Sequence, residues 1–285
     1  MLSIKDFLVL TKFNLIFAVM LSAIFTFILA KGAITIDIVM PSIGILLLGL
    51  GVSALNEYQE HEDDAKMTRT KDRPIPSQKI SPKQGLMISI SLIIVSFIII
   101  WFSLGFIGLS IFAFIVILYN GIYTRTKKHT VYAVVYGAVL GVIPPLIGWI
   151  VADGNITDIR FLAIALFYFV WQIPHFWLLI LKYHEQYEAA GYKTVATTFG
   201  VKRLERITFI WLLLALMCGL FTIIAFPIDS IVIAVLMVLL FAYSFYSVLL
   251  LPKTHNYIRV FIAINLYITL LMVLLDVDIL ISSYS

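Results

Sequence analysis

Cysteine is nearly absent: Cys218 is the single one in 285 residues, so the chain forms no intrachain disulfide and its thiol content says nothing about redox compartment. Charge is scarce too, with 13% Asp, Glu, Lys and Arg against 62% hydrophobic residues, which excludes an ordinary soluble globular domain. The five histidines show no paired metal-ligand spacing, which argues against a zinc site. There is no phosphate-binding glycine loop, no serine-hydrolase elbow and no kinase signature. Low-complexity linkers are also missing, so residues 1–285 read as one transmembrane domain.

What is present is a series of apolar runs of membrane-crossing length, which need about 20 residues each. Nine spans are expected, at 13–30, 36–56, 86–103, 106–122, 131–151, 160–181, 207–227, 230–251 and 258–282. Two places are less clear-cut: the split at Ser103–Gly105, where one long run must turn back, and the short connector Phe226–Ser230. Of the 20 Lys and Arg residues, all but Lys31 and Arg160 fall on one side of this arrangement. The positive-inside rule then puts the N-terminus and the long loops in the cytoplasm, and nine spans leave the C-terminus outside. The basic balance is therefore a topological signal, and no nucleic-acid partner is expected. The first run is long enough to span and has no small-x-small cleavage pattern, so it reads as a retained helix.

Two loops interrupt the apolar pattern. The first reads NEYQEHEDDAKMTRTK from Asn56 to Lys71. Asn56, Glu60 and Asp64 are four residues apart, so on a helix each is rotated by about 40° from the last and the three form one stripe. Carboxylates on a stripe, followed by Lys66, Arg69, Lys71 and Arg73, suit a magnesium ion bridging to a phosphorylated substrate. The second loop carries Glu185 and Glu188 on one face and then Lys193 after Gly191. Either loop could instead be a solvated connector whose charges fix topology, but a polar stripe continuing a membrane helix is costly unless it lines a cavity or binds something.

Other features keep two readings. His175, in WQIPHFWLL, is a hydrogen-bonded packing histidine beside a proline or a contact to a polar substrate. Pro144–Pro145 with Gly141 and Gly148 make a kink with close helix contact or shape a pocket. Tyr123 with Lys127 and Lys128 forms an interfacial belt or the wall of an anion site.

On these residues the chain resembles the UbiA superfamily of intramembrane prenyltransferases. Asn56, Glu60 and Asp64 match its first Asn-x-x-x-Asp-x-x-x-Asp motif, with DAKMTRTKDRPIPS following. LTK at Leu10–Lys12, YT at Tyr123–Thr124, PPLIGW at Pro144–Trp149, PHFW, and YxxAG at Tyr187–Gly191 resemble its heme-modifying branch. Glu60 stands where the motif usually has Asp, Phe13 replaces a common proline, and Glu185 alone, or with Glu188, stands for the second acidic motif. The resemblance implies an all-α fold of nine transmembrane helices around a central cavity, capped by the two loops. It implies transfer of a farnesyl group from farnesyl diphosphate to a vinyl group of heme B, with water addition. Asn56, Glu60 and Asp64 would be the catalytic, Mg2+-holding residues, with Lys66, Arg69, Arg73, Lys127, Lys128 and Lys193 around the diphosphate and His175 on the heme side. Expected partners are those two substrates, the lipid bilayer, and a heme-modifying enzyme or terminal oxidase assembly, in the plasma (inner) membrane if the source is bacterial. The competing functions are prenyl transfer to an aromatic or lipid acceptor, and a non-catalytic heme-handling or transport role.

Overall fold

The computed structural model describes residues 3–284, and among these no strand occurs. A short helix α1 (Ile4–Leu10) precedes α2 (Phe13–Lys31), α3 (Val39–Asp64), α4 (Pro82–Val116), α5 (Ala133–Val151), α6 (Ile159–Ala189), α7 (Val201–Ala225), α8 (Ile231–Leu249) and α9 (Tyr257–Tyr284). Among the described residues eight helical stretches are long and apolar enough to cross a membrane. The chain is an integral, multi-pass membrane protein.

One of the eight stretches is two crossings. Pro82–Thr126 runs for 45 residues, about 68 Å at 1.5 Å per residue, more than twice the roughly 30 Å hydrocarbon core. It breaks at Gly105, whose φ of 54° and ψ of −137° belong to glycine, and a Cβ there would meet open space, so the constraint is backbone conformation alone. The rings of Phe97 and Phe112 then meet edge to face at 5.9 Å, where an unbroken helix would hold them about 22 Å apart. Among the described residues the chain therefore turns back at the expected split, so that the eight stretches make nine crossings. At the second of the two uncertain places, the Asp278 carboxylate accepts from the backbone N–H groups of Asp229 (3.0 Å) and Ser230 (2.9 Å), closing the connector and capping α8 from α9.

The two largest apolar cores divide between the halves of the chain. α2, α3, α4 and α5 pack around Leu48, Ile100, Phe112 and Ile147, while α6 to α9 pack around Phe167, Leu216, Tyr267 and Leu271. The first is drawn tight at α2 and α5: a Cβ on Gly148 would lie 1.9 Å from the Ala23 carbonyl oxygen, and Thr26 donates to the Pro145 carbonyl at 2.9 Å. The structure thus shows the close-contact role of the Gly-Pro segment. Gly148→Ala forces backbone apart and is expected to cost about 1–3 kcal/mol, read as a lowered unfolding midpoint in detergent. An unchanged midpoint would mean that α2 and α5 separate freely.

Candidate active site

The expected span 36–56 ends too early, because α3 continues helical to Asp64. That extension makes the four-residue spacing a stripe in fact: Asn56, Glu60 and Asp64 are 1%, 4% and 2% exposed. Each is held by a cation from a different part of the chain. Lys12 Nζ donates to Asn56 Oδ1 at 2.8 Å, Lys127 Nζ to Glu60 Oε2 at 2.6 Å, and Arg73 Nη1 to Asp64 Oδ2 at 2.6 Å. The stripe is also bonded to itself, since Asn56 Nδ2 donates to Glu60 Oε2 at 2.9 Å and reaches Thr124 Oγ1 at 3.2 Å. Charges this deep persist only when paired and hydrogen-bonded.

The surrounding segments are tied to the same helix. Glu57, fully buried, accepts from the Ile75 backbone N–H at 3.0 Å and so folds the loop after α3 back under Arg73. Asn120 donates to the Val52 carbonyl at 3.0 Å and to Gln59 Oε1 at 3.1 Å. It lies in a π-helical stretch, Ile117–Tyr123, a widened turn of a kind often found at functional sites, which leads directly to Thr124 and Lys127. Arg69 joins the two loops: its backbone N–H donates to Gln186 Oε1 at 3.3 Å, its guanidinium donates to the Tyr187 hydroxyl at 3.2 Å and lies over the rings of Tyr183 and Tyr187. Lys128 pairs with Asp63 and lies over Tyr192.

Several expected site residues stand elsewhere. Lys66 is exposed and pairs with Asp63 at 3.2 Å. Lys193 is exposed and meets the first half through its backbone N–H, which donates to the Lys128 carbonyl at 3.1 Å. Glu185 and Glu188 are exposed, and among the described residues neither side chain forms a hydrogen bond or ion pair. The second loop instead offers Gln186, Tyr187, Tyr183 and Tyr192. α6 leaves helical geometry at Tyr183 (φ −121°), which redirects the helix just before the two glutamates. His175 lies beyond an aromatic wall that starts at the stripe: Lys127 is 5.4 Å from the Tyr123 ring centre, Tyr123 is 6.4 Å from Phe176, and Phe176 is 5.7 Å from His175. Trp171 and Phe261 flank its imidazole at 4.7 Å each, and among the described residues its buried Nδ1 has no hydrogen-bond partner.

Sequence reading did not count Lys12, Asn120 and Thr124 among the site residues. The tripeptide LTK was a visible signal for Lys12, and YT for Thr124; Asn120 gave none. Lys12 is pushed down to about 7 by burial first, then by the like charges of Arg73 and Lys127, with Glu60 and Asp64 opposing. Burial and the carboxylates of Glu60, Asp63 and Asp64 push the Tyr192 phenol up, keeping it a neutral hydroxyl.

A cavity of about 390 Å³ opens here, lined by Gln59, Glu60, Thr124, Arg125, Lys128 and His129. A second, of about 700 Å³, is apolar and lies among α4, α5 and α6, with Phe114, Val142, Leu146 and Phe169 in its wall. Among the described residues no three His, Cys, Asp or Glu side chains gather as a ready-made metal cage. The stripe nonetheless fits a hard divalent cation. Its donors are oxygens, and among the described residues the buried Glu60 Oε1 has no hydrogen-bond partner, an acceptor open to a further cation.

Among the described residues, nine helical crossings thus surround a buried carboxylate stripe that several cations meet at one end, a built polar site inside an intramembrane bundle. The UbiA prenyltransferase family model matches residues 15–272. The chain belongs to this family and is a UbiA-type prenyltransferase. It is 34% identical to a protoheme IX farnesyltransferase of Oleidesulfovibrio alaskensis over 64% of this chain and 64% of that protein. It is 31% identical to a protein of the same name from Nitratidesulfovibrio vulgaris over 73% of each chain. Among solved structures, a UbiA homolog from Archaeoglobus fulgidus bound to DMAPP and Mg2+ superposes with a TM-score of 0.70 at 14% identity, over 95% of this chain and 99% of that one.

Proposed function

We propose that the protein transfers the farnesyl group of farnesyl diphosphate to a vinyl group of heme B, with capture of water, to give a hydroxyethylfarnesyl heme. The observation that carries the reading is the stripe, in which Asn56, Glu60 and Asp64 are each met by a separate cation at the membrane end of α3. The acceptor is read from the names of the relatives and from the PHFW and YxxAG segments.

Asn56, Glu60 and Asp64 would hold Mg2+, which when bound neutralises part of the diphosphate charge. Arg73 and Lys127 stand ready to turn from their carboxylates to phosphate oxygens, where the arginine fork suits two oxygens at once. They stabilise charge that grows on the leaving group as the allylic C–O bond breaks. Tyr123 and Phe176 extend inward from Lys127, and their ring faces are aromatic groups close to the stripe that can stabilise cationic character on the prenyl chain. Apolar walls keep bulk water from the cation before the vinyl group attacks. His175, separated from the stripe by Phe176, is read as meeting the acceptor rather than the diphosphate.

Incubation of the purified protein with Mg2+, farnesyl diphosphate and heme B should yield heme O by mass. Transfer to 4-hydroxybenzoate or a glyceryl phosphate lipid, with none to heme, would reassign the acceptor.

The loops are assigned to the cytoplasmic face on the distribution of Lys and Arg. Cysteine placed at Asp72 should react with an impermeant thiol reagent from the cytoplasmic side alone, and cysteine at Asp153 from the opposite side alone. Reaction of both from one side would remove this orientation.

A further inference from the structure

Prolines flank Ile75 on both sides, and proline carries no backbone N–H, so across 74–76 the Ile75 N–H is the one backbone donor. Glu57 Oε1 accepts it at 3.0 Å. The Ile75 side chain is fixed as well, 2% exposed among Leu10 of α1, Ala54 of α3 and Ile80. Gly85 at the start of α4 leaves room for it, since a Cβ there would lie 2.6 Å from Ile75 Cδ1.

Seven residues separate Glu57 from Asp64, which places the two within about 20° of each other around α3 and about 10 Å apart along it. The loop runs back along that edge and is tied to it at both ends. Thr70 Oγ1 donates to the Asp64 carbonyl at 2.9 Å and Arg73 Nη1 to Asp64 Oδ2 at 2.6 Å, while Ile75, two residues past the arginine, is held by Glu57. Between these ties the Arg73 carbonyl accepts from the Ser77 N–H at 3.0 Å and from Ser77 Oγ at 2.6 Å.

Packing alone gives no reason for a carboxylate at 57. The residue is fully buried, and among the described residues it forms no ion pair and its Oε2 has no hydrogen-bond partner. Such a group is costly to bury. What it supplies is an acceptor at a fixed height on α3, matched to the single donor next to Arg73.

We propose that Glu57 is a positioning residue for Arg73: by accepting the Ile75 N–H it sets where the guanidinium stands at Asp64, and so where it meets a diphosphate oxygen. The inference rests on the reading of the stripe as the diphosphate site. When Arg73 turns from Asp64 to phosphate, its side chain gives up one tie to α3. The Ile75 tether keeps the backbone in place during that turn.

The test separates reach from charge. Glu57→Asp keeps the carboxylate but withdraws it by one methylene from the Ile75 N–H, whereas Glu57→Gln keeps the reach and an acceptor oxygen and loses the charge. Calorimetric titration of inorganic pyrophosphate with Mg2+ present reads the site without an acceptor or turnover. Arg73→Met should bind about tenfold more weakly than the parent or worse, the effect of one lost charge-assisted hydrogen bond. Glu57→Asp should lose most of the same factor, and Glu57→Gln should stay close to the parent. Glu57→Asp/Arg73→Met should bind as Arg73→Met does, because a residue that acts through the arginine then has nothing to act on. Lost affinity in Glu57→Gln overturns the inference in favour of an effect of charge. Parental affinity in Glu57→Asp or in Arg73→Met, or additive losses in the double variant, overturns it and leaves the site reading standing. A Glu57→Asp protein that does not fold overturns it too, since Glu57 then supports the bundle rather than one side chain. A parent that binds no pyrophosphate overturns the site reading itself and this inference with it.

Discussion

Asp64→Asn is expected to lower prenyl transfer by about 10³-fold or more while the protein stays folded. The asparagine has the same volume and its amide oxygen can still accept from Arg73, now 2.6 Å from Asp64 Oδ2, so the loop after α3 keeps its anchor. What disappears is the negative charge. The site loses one of the two carboxylates of the stripe, and with it the hard anionic oxygen that a magnesium–diphosphate complex requires. Lost stabilisation of a developing leaving-group charge commonly costs factors of this size. Arg73, with 19% of its side chain exposed, is not left wholly desolvated, so the stability change should stay within about 1–3 kcal/mol. Single-turnover formation of prenylated product, set beside thermal unfolding in detergent, separates the two effects. Transfer within about tenfold of the parent would remove Asp64 from the reaction.

The crossings and the stripe were legible because both are properties of one helix at a time. Apolar runs of the right length gave nine spans, and Gly105, within the expected split, supplied a conformation that other residues resist. Asn56, Glu60 and Asp64 declared themselves by a spacing of four, and α3 had only to extend past the expected end to realise it. The partners of the stripe were harder to read. Lys66 is next to it in the chain yet pairs with Asp63 on another face, while Lys12, 44 positions from Asn56, supplies the contact. Which cation reaches which carboxylate depends on how α1, α2 and the loop after α4 pack, and no local periodicity encodes that. Glu185 and Glu188 matched a helical spacing as well, but the break in α6 at Tyr183 and the aromatic contacts of Arg69 decide which second-loop side chains turn toward the first. The left-handed joint at Lys12 has no sequence signature, since lysine is not a residue that favours it.

The pair of Glu60 and Lys127 should separate structural from catalytic need most sharply. Lys127→Met removes the 2.6 Å contact and leaves a carboxylate 4% exposed with Asn56 Nδ2 as its remaining partner and Oε1 already unpartnered. Breaking a buried ion pair from one side costs about 3–5 kcal/mol, and the 21% exposure of the lysine side chain puts this case near the lower figure, about 3 kcal/mol. Replacing both members is a different matter, because no uncompensated charge remains. In Glu60→Gln/Lys127→Met the glutamine oxygen still accepts from Asn56, the methionine keeps the contact with the Tyr123 ring, and stability should return to within about 1 kcal/mol of the parent. The coupling between the two sites then comes to about 2 kcal/mol or more in a double-mutant cycle of chemical unfolding. Activity should follow no such recovery. The double variant has lost both an anionic oxygen for the metal and a cation for the diphosphate, so prenyl transfer should remain at least about 10²-fold below the parent. A double variant that is as unstable as Lys127→Met would show that the pair is not the source of the lost stability. One that recovers turnover together with stability would show that Glu60 and Lys127 hold the bundle together and take no part in the chemistry.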